Sequence, residues 1–334
     1  MRPLQLAAAV LLGLSAAAAP ADYSDDPKTP QLLAALKSEY SFSDAQLDLV
    51  RDELAQARLL PQLIHNEQTN KEKTATWEDY KPIHVNPANI ANGLEFLRTQ
   101  KTWLQRAHQQ FGVPAEIITA LIGVETKYGT YTGKFHVLDA LATLGYNHPS
   151  RADFFFGELT QFFVLCRDDN LDATGLLGSY AGAMGMAQFM PSNYRQLALD
   201  YDGDGRVDLW SPPDAIGSVA NYLVSYDALR VWHRGQPVLA ELAGDTPPPA
   251  SLPRNEKLPT LTVGALRQAG LAIKASLDDN MPAGLLELPH DSGPPEYWVA
   301  LPNFYAVMSY NPRVYYAMAV ASLAYELKRA ESTP

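Results

Sequence analysis

Residues 120–133 read ALIGVETKYGTYTG and place one carboxylate, Glu125, inside an otherwise apolar run. Ile118, Leu121 and Glu125 recur at the i, i+3, i+7 spacing of one helical face, so the glutamate shares the apolar stripe. Apolar residues cover most of the other faces as well. The pattern therefore predicts a central helix of the fold, with one charge on a buried face.

The predicted helix spans residues 114–128, with Pro114 at its first position and Gly129 just beyond its end. Burial removes water from a carboxylate, raises its pKa and favours the protonated acid that general acid catalysis needs. Two structural alternatives stay open: Glu125 pairs with a lysine or arginine, or it leans into solvent at the helix end. Gly123 and Gly129 indicate close approach of a backbone or ligand, but the helix alone slightly favours a structural glutamate.

Composition indicates a folded, soluble protein. The chain has 334 residues, of which 47% are hydrophobic and 19% charged. Its net charge of -11, with a pI near 5.1 and no basic run, argues against binding nucleic acid or anionic lipid through bulk charge. These values argue against two classes of binding protein but do not indicate which function the chain has.

The first residues have the features of a secretory signal peptide. Arg2 precedes an apolar stretch over residues 4–14, and small residues at 19–21 suit a cleavage site, which predicts a signal peptide over residues 1–21. A transmembrane anchor, the alternative, needs roughly 20 apolar residues. The only cysteine is Cys166, so there is neither an internal disulfide nor a cysteine for lipid attachment at the cleavage point. We expect a soluble periplasmic protein without a membrane anchor.

Most of the remaining chain has helical periodicity, which predicts a mainly α fold. Ser43 and Gln46 form a capping-box pattern, and Asn86 is placed to cap a long helix that Gly112 ends. Further helices are predicted over residues 30–40, 150–167, 213–226 and 314–327.

Composition changes over residues 235–300. This segment is rich in proline, and TLTV, LLELP and YWVAL have the character of short strands. Because helices resume after it, we predict a small β insert in a helical core that is discontinuous in sequence.

A glycine-rich polar loop, GSYAGAMGMAQFMPSNY, covers residues 178–194. Its glycines allow a ligand to approach the main chain, and Ser179 and Gln188 add side-chain donors and acceptors. The loop lacks the lysine and serine or threonine of a phosphate loop. Tight packing of helices through small residues is an equally good explanation of the loop by itself.

An acidic loop follows, DYDGDGRVDLWSPPD, and it begins as an EF-hand calcium loop does. Position 12 is Ser211 where a bidentate glutamate is usual, so a carboxylate would have to come from the start of the next helix. Oxygen ligands without histidine or cysteine favour calcium over zinc; the alternative is a solvated acidic turn. The candidate calcium ligands are Asp200, Asp202 and Asp204, the carbonyl of Arg206, Asp208 through water, and Asp214.

Four blocks in this order resemble one family. GVETKYGTYTGKFHVLDALATLGYN, GSYAGAMGMAQFMPSNY, DYDGDGRVDLWSPPDAIGSVANYL and NFYAVMSYNPRVYYAMAV are similar to the lytic murein transglycosylase B family, glycoside hydrolase family 103. The resemblance covers nearly the whole mature chain. It implies an N-terminal helical domain (residues 22–80), a lysozyme-like helical core with the EF-hand-like loop (81–234), the small β insert (235–300) and a C-terminal helical part of the core (301–334).

The resemblance also implies an activity. Members cleave the β-1,4 bond between N-acetylmuramic acid and N-acetylglucosamine in peptidoglycan glycan strands without water. Glu125 would protonate the glycosidic oxygen and then take the proton of the muramic C6 hydroxyl, which closes a 1,6-anhydro ring. The N-acetyl group of the substrate replaces the second carboxylate that most glycosidases use, and no organic cofactor is implied.

The resemblance assigns further roles. It supports calcium, with a structural role, at Asp200, Asp202, Asp204, Arg206 and Asp214. Some members are lipid-anchored, whereas this chain lacks the acylated cysteine. The substrate-binding residues that it implies are Ser179, Gln188, Tyr222, Tyr310, Asn311 and Tyr316.

Two alternatives remain. A hydrolytic lysozyme-like muramidase needs a second carboxylate or a path for water; Asp139, Asp153 and Glu158 are available, but none lies in a motif that gives it this role. A non-catalytic, calcium-stabilised wall-binding protein needs the acid to be lost or held ionised by a nearby base.

Overall fold

The computed structural model describes residues 21–69, 76–244 and 247–332. The predicted signal peptide lies outside the described residues, apart from Ala21. The described chain forms fourteen α-helices and six short strands, which confirms the mainly α prediction. The helices are α1 (Thr29–Tyr40), α2 (Asp44–Gln56), α3 (Pro61–Thr69), α4 (Trp77–His84), α5 (Pro87–Thr99), α6 (Lys101–Phe111), α7 (Ala115–Thr126), α8 (Val137–Asn147), α9 (Ala152–Asp168), α10 (Pro191–Leu197), α11 (Pro212–Ser225), α12 (Val263–Gln268), α13 (Pro302–Tyr310) and α14 (Val314–Glu331). The strands are β1 (Phe135–His136), β2 (Leu177–Gly178), β3 (Leu239–Glu241), β4 (Leu261–Thr262), β5 (Pro282–Leu288) and β6 (Glu296–Ala300).

The N-terminal helices pack onto the rest of the helical body. The capping box of α2 is present, with the Ser43 side chain accepting from Gln46 N and the Gln46 side chain from Ser43 N. Leu36 of α1 and Leu54 of α2 are fully buried in the same hydrophobic core as the central helices. Since that core is continuous, the boundary of an N-terminal domain at residue 80 stays a prediction.

The long helix predicted after Asn86 is two helices, and this prediction was wrong. Asn86 caps α5 as expected, and Gly112 ends α6 in the left-handed conformation, with φ 76°. Between the two helices, Gln100 leaves helical geometry at φ -102° and ψ 16°. The Thr99 hydroxyl bonds the Glu95 and Phe96 carbonyls in the last turn of α5. The break lets α5 pack on α7 and α14 while α6 packs on α11.

The central helix α7 is shorter than predicted at both ends. Pro114 is its N-cap and not its first helical residue. The helix ends at Thr126, and its C-cap Lys127 takes the left-handed conformation (φ 48°) two residues before Gly129. Ile118, Leu121 and Ile122 are fully buried. Because α5, α6, α11 and α14 all pack against it, α7 has the central position that its sequence predicts.

The β insert follows the prediction, with one strand added. Strands lie at the three expected places, and β3, which the sequence analysis missed, completes a sheet of order β3-β6-β5-β4 whose neighbouring strands are antiparallel. Leu285, Val299 and Leu266 belong to a separate small core. The chain then returns through α13 and α14, and α14 packs along α7. In the described ranges, no helix is both long enough and apolar enough for a membrane span.

Candidate active site

Glu125 lies in the last turn of α7 and faces α14. The hydroxyl of Tyr316, which is 3% exposed, donates a hydrogen bond of 2.5 Å to Glu125 Oε1. Burial, with the negative charge of Glu125, raises the pKa of Tyr316 well above its ordinary value, so the hydroxyl stays a donor. Glu125 itself is half-buried. The residue is therefore only partly removed from solvent, and the predicted loss of hydration is partial.

The end of α7 is tied to the glycine-rich loop. The Thr126 hydroxyl lies 3.1 Å from the Met186 carbonyl oxygen, to which it donates, and it accepts from Gly129 N at 3.0 Å. Strands β1 and β2 pair Phe135 with Gly178, so the segment after Glu125 and the start of the loop run side by side. The structure thus brings together two of the sequence blocks.

Ser179 and Gln188, both half-buried, shape this loop. Ser179 Oγ accepts hydrogen bonds from the backbone N–H groups of Ala181 and Ala183, at 3.3 and 3.0 Å. Gln188 is left-handed, with φ 51°, and its Nε2 donates to Gly185 O at 2.9 Å and to Thr132 O at 3.1 Å. These hydrogen bonds hold the loop in shape. The contacts of Ser179 and Gln188 with substrate therefore stay a prediction.

Tyr310 and Tyr222 form an aromatic cluster beside the loop. The Tyr310 hydroxyl donates to Ala187 O at 2.5 Å, and the Tyr222 hydroxyl donates to Ser309 O at 2.8 Å. Their ring centroids are 4.5 Å apart. Because Tyr222 is only 3% exposed, its ring lies beneath the surface of the site and supports Tyr310.

Two further aromatic residues of this cluster were missed by the sequence analysis. Phe189 lies 5.5 Å from Tyr222 and 5.9 Å from Tyr310, measured between ring centroids. Tyr226 stacks on Tyr222 at 4.3 Å and is 44% exposed. Phe189 lies within the glycine-rich block, which was already singled out. Tyr226 is one helical turn after Tyr222, and this i, i+4 spacing could have identified it.

Asn311 ends α13, and α14 begins three residues later. It has an extended backbone, with φ -143° and ψ 117°, and its carbonyl accepts from Arg313 N at 2.7 Å. The side chain is half-buried. Asn311 is therefore placed between Tyr310 and Tyr316 in the turn that joins the two C-terminal helices.

The acidic loop brings three carboxylates together. Oxygen atoms of Asp200, Asp202 and Asp214 lie within 4.8 Å of one another. Asp214 is 2% exposed, and burial is the main cause that raises its pKa. Asp204 is outside this group, and its Oδ1 accepts from Arg206 N at 2.8 Å. Three hard oxygen donors, with nearby backbone carbonyls, suit a cation such as calcium.

The acidic loop also supports the glycine-rich loop. Met186 N donates to Leu209 O at 2.7 Å, and the Tyr194 hydroxyl donates to Val207 O at 2.7 Å. A side-chain carbon at Gly185 would clash with Leu209. An ordered acidic loop therefore supports the glycine-rich loop, which in turn contacts Thr126, the neighbour of Glu125.

The hydrolytic alternative would need a second carboxylate, and three candidates were considered from the sequence. Asp139 accepts from Arg58 N at 2.8 Å, and Glu158 accepts from Ser192 N at 2.9 Å and from its hydroxyl at 2.7 Å. Asp153 is exposed in the first turn of α9.

The helical architecture defines a lysozyme-like class of glycan-cleaving enzyme. The chain belongs to the Transglycosylase SLT domain family, whose model matches residues 28–325. It is 39% identical over 311 residues to membrane-bound lytic murein transglycosylase B of Escherichia coli (strain K12), covering 90% of this chain and 83% of that protein. The resemblance drawn from the sequence is thereby confirmed.

Solved structures agree with this assignment. The lytic transglycosylase Slt35 of Escherichia coli, in complex with calcium, has a TM-score of 0.82 and 37% identity, over 94% of this chain and 96% of that one. SltB3 of Pseudomonas aeruginosa, in complex with NAG-anhNAM-pentapeptide, has a TM-score of 0.73 and 28% identity, over 90% of this chain and 79% of that one.

Proposed function

We propose that Glu125 is the single acid and base of this chain, which is a lytic transglycosylase of peptidoglycan. Family membership and the murein transglycosylase relative support the activity. The observation that carries the residue assignment is the hydrogen bond from Tyr316 to Glu125, which orients the carboxylate of a half-buried residue at the C-terminal end of α7.

The proposed reaction uses the same carboxyl group twice. As the bond between N-acetylmuramic acid and N-acetylglucosamine breaks, Glu125 gives its proton to the glycosidic oxygen, and the glucosamine unit leaves with a hydroxyl. The substrate's N-acetyl group stabilises the positive charge at C1. Glu125 then takes the proton of the muramic C6 hydroxyl, whose oxygen bonds to C1, and this step restores the acid.

The neighbouring residues would orient and enclose the sugar. Tyr316 would hold one oxygen of the Glu125 carboxylate in place. Tyr310 and Tyr226 present aromatic surface of the kind that packs on sugar rings, while Gln188 and Asn311 supply amide groups. If these side chains exclude water from C1, attack by the C6 hydroxyl is favoured over hydrolysis.

We propose that calcium binds the acidic loop, through Asp200, Asp202 and Asp214 together with Asp204 and the Arg206 carbonyl. The calcium complex of the Escherichia coli relative and the three gathered carboxylates support this site. A bound cation would offset the repulsion among the carboxylates. Its role would be to hold Leu209 against Met186, with no part in proton transfer.

The proposed location is the periplasm. The sequence pattern of residues 1–21 supports export, and peptidoglycan as substrate requires it. The murein transglycosylase relative is described as membrane-bound, whereas Cys166, the single cysteine here, is far from the expected cleavage point.

The chemical form of the muramic acid ends in the digestion products tests the proposed function directly. Purified peptidoglycan is digested in ¹⁸O-labelled water, and the muropeptides are identified by mass spectrometry. We expect 1,6-anhydro muramic ends, lighter than reducing ends by one water and free of label. Reducing muramic ends that carry ¹⁸O would instead establish the hydrolytic alternative.

A further inference from the structure

Tyr128 lies three residues after Glu125, and its ring fills a space between two helices. A side-chain carbon built at Gly123 of α7 would lie 2.6 Å from the Tyr128 ring. One built at Gly93 of α5 would collide with the Tyr128 hydroxyl. Since real carbon atoms do not approach so closely, both glycines are needed to admit this ring. The ring of Phe96 packs beside it, at 5.7 Å between centroids.

The backbone that places Tyr128 is costly to form. Lys127, Tyr128 and Gly129 are all left-handed, with φ of 48°, 60° and 85°. This region is sparsely populated by residues other than glycine, and each such residue costs about 1 kcal/mol or more. Such a conformation persists only where the surroundings stabilise it.

The side chain and backbone of Tyr128 supply that stabilisation. Its hydroxyl donates to Asn89 O at 2.9 Å, and its N–H donates to Ile122 O at 3.3 Å. Lys127 N donates to Gly123 O at 3.1 Å. Burial raises the pKa of Tyr128, so the hydroxyl remains a donor. The last turn of α7, which contains Glu125, is thereby closed and attached to α5.

We propose that Tyr128 is a positioning residue that holds Glu125 in register with Tyr316. This inference rests on the proposed role of Glu125 as acid and base. Thr126 attaches the same turn to Met186, so the glutamate lies between two anchors. Without the ring, the left-handed turn loses its support, the end of α7 frays, and Glu125 shifts relative to Tyr316.

Tyr128→Leu and Tyr128→Phe test the proposal. A displacement of about 1 Å can cost roughly 100-fold in rate. We therefore expect Tyr128→Leu to lower kcat by about that factor with KM nearly unchanged, when the variant is assayed well below its melting temperature. Tyr128→Phe keeps the ring and should restore most of kcat. A merely structural residue would lower the melting temperature and leave kcat intact; that result for Tyr128→Leu overturns the proposal.

The glycines give a reciprocal test that does not depend on the folding of Tyr128→Leu. Gly123→Ala should displace the ring and lower kcat, even though alanine has the better helix propensity by about 1 kcal/mol. Gly157→Ala is the matched control, because a side-chain carbon at this helical glycine meets nothing within 4 Å. An active Gly123→Ala enzyme with the kcat of the Gly157→Ala control contradicts the proposal.

A double variant separates this inference from the proposed function. If both changes act through one ring, Gly123→Ala combined with Tyr128→Leu should be no slower than Tyr128→Leu alone; independent, multiplying losses of kcat would refute positioning by the ring. Failure of the proposed function would look different, since the wild-type enzyme would then give no 1,6-anhydro ends.

Discussion

The Tyr316 hydroxyl and the Glu125 carboxylate are joined by a 2.5 Å hydrogen bond, although 191 positions separate the two residues in the sequence. The bond joins the C-terminal end of α7 to the first turn of α14. Because Tyr316 is buried and stays protonated, it can donate to the carboxylate in every state where Glu125 is charged.

Glu125→Gln should abolish turnover and keep the fold. The amide neither gives nor takes a proton at the required step, so kcat should fall by about 1,000-fold or more. Glu116→Gln is the matched control on the same helix. Glu116 pairs with the exposed Lys328 at 3.3 Å, a contact of little energetic weight. Release of soluble muropeptides measures both; substantial activity in Glu125→Gln would place the acid elsewhere.

Tyr316→Phe should lower kcat by about 10- to 100-fold, because a hydrogen bond to a charged group contributes about 1.5–3 kcal/mol. Tyr325→Phe on the same helix is the control, since Tyr325 is 64% exposed. Steady-state kinetics on purified glycan strands compare the two. Equal rates in both variants would show that the Tyr316 hydrogen bond does not contribute to catalysis.

Removal of calcium should lower the melting temperature. A ligand at 100 times its Kd stabilises the folded state by about 2.7 kcal/mol, which corresponds to roughly 4 °C for a chain of this size. Calorimetry with chelator, followed by added calcium, measures the change. Asp214→Asn should lose the calcium response, whereas Asp52→Asn, at an exposed position of α2 outside the acidic loop, should keep it. An unchanged wild-type transition would reject the site.

Stability should fall as pH rises from about 4.5 to 7 because of Glu53. Burial, with the charges of Asp172 and Asp52, raises the pKa of Glu53 from 4.5 to about 7. Over this window the folded chain keeps a proton that the unfolded chain releases, so the ionised carboxylate destabilises the fold at higher pH. Glu53→Gln should remove this dependence and be more stable than wild type at pH 8, by on the order of 1–2 kcal/mol once solvent screening of the partly exposed carboxylate is allowed for.

Denaturant unfolding at pH 4.5 and pH 8 measures the effect of Glu53. Glu39→Gln is the control, because Glu39 is exposed and a surface change of this kind stays within about 0.5 kcal/mol. The advantage of Glu53→Gln should be small at pH 4.5 and large at pH 8. An advantage of equal size at both values would contradict the titration of Glu53.

Local sequence patterns predicted the parts of the fold that depend on near neighbours. Ser43 and Asn86 were identified as caps because a capping side chain bonds residues within its own first turn. The three strands of the insert were identified from short apolar runs. Strand β3 was missed, since its three residues form a strand only by pairing with β6.

Contacts between distant segments could not be predicted from these patterns. Gly129 was expected to end α7, but Lys127 takes the left-handed position because Tyr128 must reach Gly93, in another helix. Tyr222 was identified through family resemblance, yet its burial beneath Tyr310 follows from the packing of α11 on α13. Such side chains acquire their roles only when the chain is folded.

The β insert separates the acid from its hydrogen-bond donor along the chain, and this order bears on when activity can arise. A chain is made from its N-terminus, so Glu125 is present long before Tyr310 and Tyr316. A nascent chain that stops within the insert holds a glutamate without the tyrosine that orients it. Likewise, a protease that removes α14 would take away both Tyr316 and the helix that packs along α7, although Glu125 itself would still be present in the chain.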